Sequence, residues 1–271
     1  MIRFLMLFWL FCATSFGKVM LLKEYKDENL TGWVISEKYD GVRAIWDGKV
    51  LKSRSGKIIN APTKFINELP DFALDGELWS GVGEFEFIAS TVLDETPDDR
   101  AWEKIKYMVF DLPKFDGNLY QKMDHLNNFL KANPSEFIRV VEQIEIKDNN
   151  HAFAFLDELV ASGAEGVVVR DPNAKYISGR SSSILKLKKW HDSECEIVAI
   201  NEGKGRLKRT MGSLNCVDIF SKIEFKIGSG FSDEMRANPP KIGTIITYKF
   251  QNLTKNNKPR FPIFIRIKRS E

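Results

Sequence analysis

Histidine and cysteine are scarce in this 271-residue chain, with three of each. His125, His151 and His191 are scattered, and no Cys-x-x-Cys pair occurs. This argues against a zinc site and against a histidine-based nucleophile relay. Cys12, Cys195 and Cys216 are too few for a disulfide scaffold. Cys195 and Cys216 could pair in an oxidising compartment or stand as two buried thiols. A Gly-x-x-x-x-Gly-Lys-Ser/Thr run is also missing, which excludes a P-loop nucleotide site. Gly203-Lys204-Gly205-Arg206 has the wrong spacing and reads as a basic turn. Beyond residue 17 no apolar run is long enough to cross a bilayer. There is no internal repeat and no low-complexity linker.

What is present suits a folded chain of one or two modest cores, at 43% hydrophobic and 28% charged residues. The net charge of +3 is unevenly spread. From Asp192 onward there are 15 Lys and Arg against 9 Asp and Glu, whereas Lys18 to Lys189 holds 24 against 28. A basic C-terminal part is suited to a polyanion, although ordinary surface variation reads equally well from charge alone. The first 17 residues differ again. Arg3 precedes the apolar run Phe4 to Phe11, and Ser15 and Gly17 place small residues ahead of Lys18. That is the layout of a cleaved secretory leader, with an uncleaved membrane anchor as the alternative.

Short strand-like runs dominate the rest. Trp33 to Ser36 ends just before Lys38, and Val42 to Trp46 and Lys49 to Ser53 flank Asp47-Gly48 as a hairpin. Phe72 to Trp79, Lys106 to Asp111, Gly166 to Arg170 and Ile184 to Lys188 read as further strands. Tyr120 to Ala132 and Ala152 to Ser162 have helical spacing. This mixture predicts an α+β domain. After Trp190 five strand-like runs follow, separated by turns at Gly203-Lys204-Gly205, Gly228-Ser229-Gly230 and Asn256-Asn257. They predict a small β-barrel of OB type. The expected division is therefore a leader over 1–17, an α+β domain over 18–189 and an OB-fold domain over 190–271.

The chemistry-bearing residues form an ordered set. Lys38 follows an apolar strand and precedes the tight turn at Asp40-Gly41, with Arg43 close behind. A lysine nucleophile must lose its proton, and neighbouring cations lower the cost. Ser53-Arg54-Ser55-Gly56 follows the hairpin. Asp75-Gly76-Glu77 puts a carboxylate at a strand edge, Phe110-Asp111 ends another strand, and Glu165-Gly166 opens one. Lys186 and Lys188 alternate with leucines and so share one face. Singly each has a dull reading: a turn, a core aromatic, a solvated strand. Together they supply a nucleophile, two hard-oxygen carboxylates suited to magnesium, and cations for a triphosphate.

Lys38-Tyr39-Asp40-Gly41-Val42-Arg43 resembles the first motif of the covalent nucleotidyltransferases, the DNA ligases, RNA ligases and capping enzymes. The later runs match the remaining motifs in order over nearly the whole chain. Phe225 to Asp233, Tyr248-Lys249-Phe250-Gln251 and Pro259-Arg260-Phe261-Pro262 are similar to the OB domain of the minimal ATP-dependent bacterial DNA ligases with a secretory leader. The resemblance implies that Lys38 becomes a lysyl-AMP. It implies that Glu37 presents backbone groups to adenine and that Phe110 stacks on it. Arg43, Arg54 and Glu77 would contact ribose and phosphate, Arg180 would contact phosphate, and Lys186 and Lys188 would neutralise phosphate charge. Glu77 and Glu165 would hold Mg²⁺ or Mn²⁺. For the family's last motif, Arg266-Ile267-Lys268-Arg269 is the nearest candidate. The implied cofactor is ATP rather than NAD, and the partner is nicked duplex DNA bound by a monomer. An RNA ligase or other nucleotidyltransferase is the alternative within the superfamily. The leader implies a periplasmic or secreted enzyme.

Overall fold

A computed structural model describes residues 19–254 and 256–268, so the expected leader over 1–17 lies outside the described residues. Ten strands precede residue 190: β1 (Met20–Glu24), β2 (Val34–Glu37), β3 (Val42–Trp46), β4 (Leu51–Ser53), β5 (Leu74–Trp79), β6 (Lys106–Asp111), β7 (Ile138–Val140), β8 (Ile144–Glu145), β9 (Val167–Arg170) and β10 (Gly179–Leu187). Among them lie the helices α1 (Thr63–Asn67), α2 (Phe85–Val92), α3 (Asp99–Trp102), α4 (Leu119–Ala132) and α5 (Asn149–Ala161). The strands form two five-stranded sheets. One has the order β1-β10-β9-β2-β8, the other β4-β3-β5-β6-β7.

Each sheet buries one face. In β6 the residues Tyr107, Val109 and Asp111 are buried while Lys106, Met108 and Phe110 are less so. That is the two-residue period of a half-buried strand, and it turns Phe110 away from the core. The core behind the second sheet holds Phe65, Leu74, Leu78, Ile88, Trp102 and Tyr107. Behind the first sheet, Ala152 and Leu156 of α5 meet Ile35, Val167, Val169, Leu185 and Leu187. Helix α4 touches both sheets. Its Leu126 joins the core of the second, and its Leu119 and Met123 pack on Val34 of the first. A capping box starts it: the Asn118 side chain accepts from the Gln121 amide, and the Gln121 side chain accepts from the Asn118 amide.

The Asp47-Gly48 hairpin is longer than its two-residue signal. Trp46 pairs with Leu51, which leaves a four-residue loop from Asp47 to Val50. Asp47 Oδ1 accepts from the amides of Lys49 and Val50, and this holds the wider loop. Asp75 and Glu77 also depart from expectation. They lie within β5, the central strand of its sheet, not at an edge.

Five strands follow residue 190: β11 (His191–Glu202), β12 (Met211–Asp218), β13 (Glu224–Ile227), β14 (Ile245–Phe250) and β15 (Ile263–Ile267), with the short helix α6 (Asp233–Ala237). They form one antiparallel sheet in the order β13-β12-β11-β14-β15. Cys195, Ile197, Leu214, Cys216, Ile246 and Tyr248 make its core. Cys195 and Cys216 are free buried thiols on adjacent strands. The expected barrel is not closed. Among the described residues no ladder joins β13 to β15; past the end of β13, Ser229 forms a parallel bridge with Ile263.

Candidate active site

Residues of the first two sheets line a cavity of about 360 Å³. The first sheet contributes Met20 to Leu22 of β1, Ser36 and Glu37 of β2, Val168 of β9, and Ile184 and Lys186 of β10. The second contributes Arg43 of β3, Glu77 of β5 and Phe110 of β6. Lys38 and Lys188 sit one residue beyond the ends of β2 and β10.

Strand register explains the centre of the site. Antiparallel pairing sets Glu37 against Val167, and one step further the Lys38 amide donates to the Gly166 carbonyl at 2.9 Å. Lys38 and Glu165 therefore emerge side by side, and the Lys38 ammonium forms an ion pair with Glu165 Oε2. Lys188 Nζ binds Glu165 Oε1, so one carboxylate holds two ammonium groups. Gly166 makes this approach possible. Its φ of +147° suits glycine, and a Cβ there would come within 2.5 Å of the Leu187 carbonyl oxygen. Gly41 serves the other wall, where a Cβ would lie 2.2 Å from the Leu78 carbonyl oxygen.

The charges have distinct environments. Burial pushes Glu77 up to about 8, against the opposing pull of Lys38 and Arg43. Burial also works against the Glu165 charge, but Lys38 and Lys188 outweigh it and hold this carboxyl below its ordinary range. Lys188 is lowered, chiefly by burial, with Lys38 and Lys186 adding to the effect. Burial raises Glu37.

Nine of the ten residues singled out by sequence line this cavity: Glu37, Lys38, Arg43, Arg54, Glu77, Phe110, Arg180, Lys186 and Lys188. Glu165 lines an adjoining cavity that Glu37 shares. Arg54 is exposed in the turn after β4, and Arg180 donates to the Leu22 carbonyl at 3.3 Å. Lys186 pairs with the exposed Glu24 at 3.1 Å. Arg43 lines the cavity as well as serving the fold. Its guanidinium holds Asp75 through two hydrogen bonds of 2.9 and 2.6 Å and donates to the Met20 carbonyl at 2.8 Å. It thus braces β1 against β5. Arg266 and Lys268 lie on or just beyond β15 and line neither cavity; Lys268 instead pairs with Glu194 at 2.6 Å.

Several site residues were given no role of their own by the sequence. Asp75 accepts from Tyr176 at 2.8 Å as well as from Arg43. Arg170 lines the cavity from the end of β9. From the C-terminal sheet, Gln251 accepts from Lys188 at 2.9 Å, and Arg260 donates to Asp40 at 2.6 Å. Only the pairing of an Asp-Gly-Glu run with a Lys-x-Asp-Gly-x-Arg run hinted at the Asp75–Arg43 contact.

Two family models match the chain: an ATP dependent DNA ligase domain over residues 18–188 and a DNA ligase OB-like domain over 202–268. A DNA ligase of Haemophilus influenzae is 45% identical over 264 residues, covering 96% of this chain and 97% of the relative. A solved Lig E DNA ligase, from a study of DNA binding with a minimal scaffold, superposes with a TM-score of 0.87 at 38% identity, covering 93% and 99% of the two chains. A Chlorella virus DNA ligase-adenylate shares the fold, with a TM-score of 0.57 and 22% identity over 93% and 99% of the chains.

Proposed function

The chain belongs to the ATP-dependent DNA ligase family, and from that premise we propose how its residues divide the work of sealing nicks in duplex DNA. Lys38 attacks the α-phosphate of ATP, pyrophosphate leaves, and a lysyl-AMP phosphoramidate forms. The AMP passes to the 5′-phosphate of a nick, and the adjacent 3′-hydroxyl then displaces AMP to close the strand. Such transfers depend on in-line positioning and charge neutralisation more than on acid–base groups. Lys186 and Lys188 supply cations along one strand face, with Arg54 and Arg180 at the exposed rim. Phe110 presents its ring to the adenine, and Glu37 offers backbone groups beside it. The observation that carries this reading is the placement of Lys38 against Glu165 and Lys188 at the cavity that Phe110, Glu77 and Lys186 line.

A divalent cation fits the donor set. Among the described residues no cluster of three or more metal-ligating side chains forms. Mg²⁺ needs none, since one or two carboxylates plus substrate phosphates and water complete its shell. Glu77 and Glu165 would hold it, where it would neutralise phosphate charge and favour the uncharged amine of Lys38. The basic C-terminal sheet closes on the duplex through phosphate contacts, so sealing weakens steeply with added salt. The protein acts as a monomer and is exported, with processing ahead of Lys18; N-terminal sequencing of the protein from its native host tests the cleavage site.

The defining assay uses a duplex nicked beside a labelled 5′-phosphate. ATP with Mg²⁺ should convert it to a sealed strand, and NAD should not. Sealing supported by NAD alone, or a preference for nicked RNA, would overturn the assignment.

A further inference from the structure

Beneath Phe110 lies a buried charge cluster that the reaction does not use. Asp111 is fully buried, with Lys122 of α4 at 2% exposure and Arg170 of β9 at 4%. Lys122 Nζ donates to Asp111 Oδ1 at 2.9 Å, and Arg170 Nη2 pairs with Asp111 Oδ2. Arg170 Nη1 also donates to the Phe110 carbonyl at 3.2 Å.

The backbone at Phe110 is irregular. Asp75 pairs with Asp111 and Gly76 with Val109, so Phe110 is the extra residue of a bulge between β5 and β6. Bulges re-aim side chains and take a residue out of the ladder. Arg170 gives the displaced carbonyl a partner, and it does so from the other sheet. Burying three charges is expensive, and an apolar trio of similar volume would serve stability as well or better. Direction is what the ions add: a planar guanidinium fixes two acceptors at once.

We propose that Arg170, held by Asp111 and Lys122, is a positioning residue that sets the bulge at Phe110 and thereby the width and orientation of the adenine slot. This rests on the reading of Phe110 as the adenine platform. Arg170 spans the cleft between the two sheets, so it controls how tightly ATP is gripped while leaving the transfer at Lys38 unchanged.

Arg170→Lys tests it. An ammonium keeps a charge for Asp111 but lacks the fork that reaches the Phe110 carbonyl. The rate of Lys38 labelling is measured against ATP concentration in the full chain, at a temperature where thermal melting shows each variant folded. The expected result is a KM for ATP raised roughly tenfold with the maximal rate within about threefold of wild type. Asp111→Asn, which loosens Arg170 without removing it, should shift KM in the same direction. Combining Arg170→Lys with Phe110→Leu should add little to the effect of Phe110→Leu alone, because one residue acts through the other. An unchanged KM in both single variants, or fully additive effects in the double variant, would overturn the proposal. Wild-type protein that takes no label would instead reject the reading of the site as a whole.

Discussion

Lys38 and Glu165 stand at the ends of neighbouring antiparallel strands, and the ammonium of one rests on the carboxylate of the other. The nucleophile is thus held by an ion pair and must leave that partner to react. Glu165 also holds Lys188, so a single carboxylate orders two ammonium groups at the cavity. Glu165→Gln should lower the rate of Lys38 labelling by roughly 10²-fold or more, as for loss of a preorganised electrostatic group. Because the folded Glu165 carboxyl lies below its ordinary range, its stabilising contribution is complete above that range and fades as pH falls through the folded value. Thermal melts of wild type and Glu165→Gln should therefore converge on acidification.

Glu77 behaves in the opposite sense. Burial lifts its carboxyl to about 8, so the folded state holds a proton that the unfolded chain has released above the ordinary carboxylate range. In ATP-free protein its contribution to stability falls as pH rises from that range through about 8. Glu77→Gln should flatten this part of the profile of melting temperature against pH. Binding of ATP with Mg²⁺ should release a proton from Glu77 near neutral pH, visible as a buffer-dependent heat in calorimetry, and Glu77→Gln should reduce the release by that proton.

Loops of the C-terminal part reach the active site, with Arg260 on Asp40, Gln251 on Lys188 and the Phe261 ring beneath the Lys188 ammonium. Asp40 and Arg260 are each 24% exposed, so this pair is a modest tether rather than a buried lock. Arg260→Ala should leave Lys38 labelling within about twofold while slowing sealing of nicked DNA by roughly tenfold, the size expected when a closing element loses an anchor. Single-turnover measurement of each step separates the two effects.

The strands and the reactive set were legible in the sequence because both depend on local pattern. Alternation from β10 onward puts Lys186 and Lys188 on the cavity side. What stayed hidden depends on contacts between distant segments. Strand β1 is a parallel edge strand against β10, a pairing no local turn signal announces. The pairing of Arg43 with Asp75, 32 residues on, is another contact that nothing near Arg43 in sequence announced. Lys122 falls in a helix and Arg170 at a strand end, and nothing local to either announced that both reach Asp111. The open third sheet was read as a barrel because strand count and spacing do not report whether the two edge strands pair with each other.

Gly41 offers a purely steric check on the first motif. A Cβ placed 2.2 Å from the Leu78 carbonyl oxygen cannot be relieved by side-chain movement, since the obstacle is backbone. Gly41→Ala should cost about 1–3 kcal/mol, in the range of overpacking substitutions, and lower the melting temperature accordingly. A neutral outcome in chemical denaturation would mean that the turn after Lys38 is looser than its contacts imply.

The most direct test of the account is covalent labelling of Lys38. Protein incubated with Mg²⁺ and α-labelled ATP should acquire an acid-labile label that peptide mapping places on Lys38, and Lys38→Ala should acquire none. Label that persists in Lys38→Ala, or none in the wild type, would contradict the lysyl-AMP chemistry on which every other assignment depends.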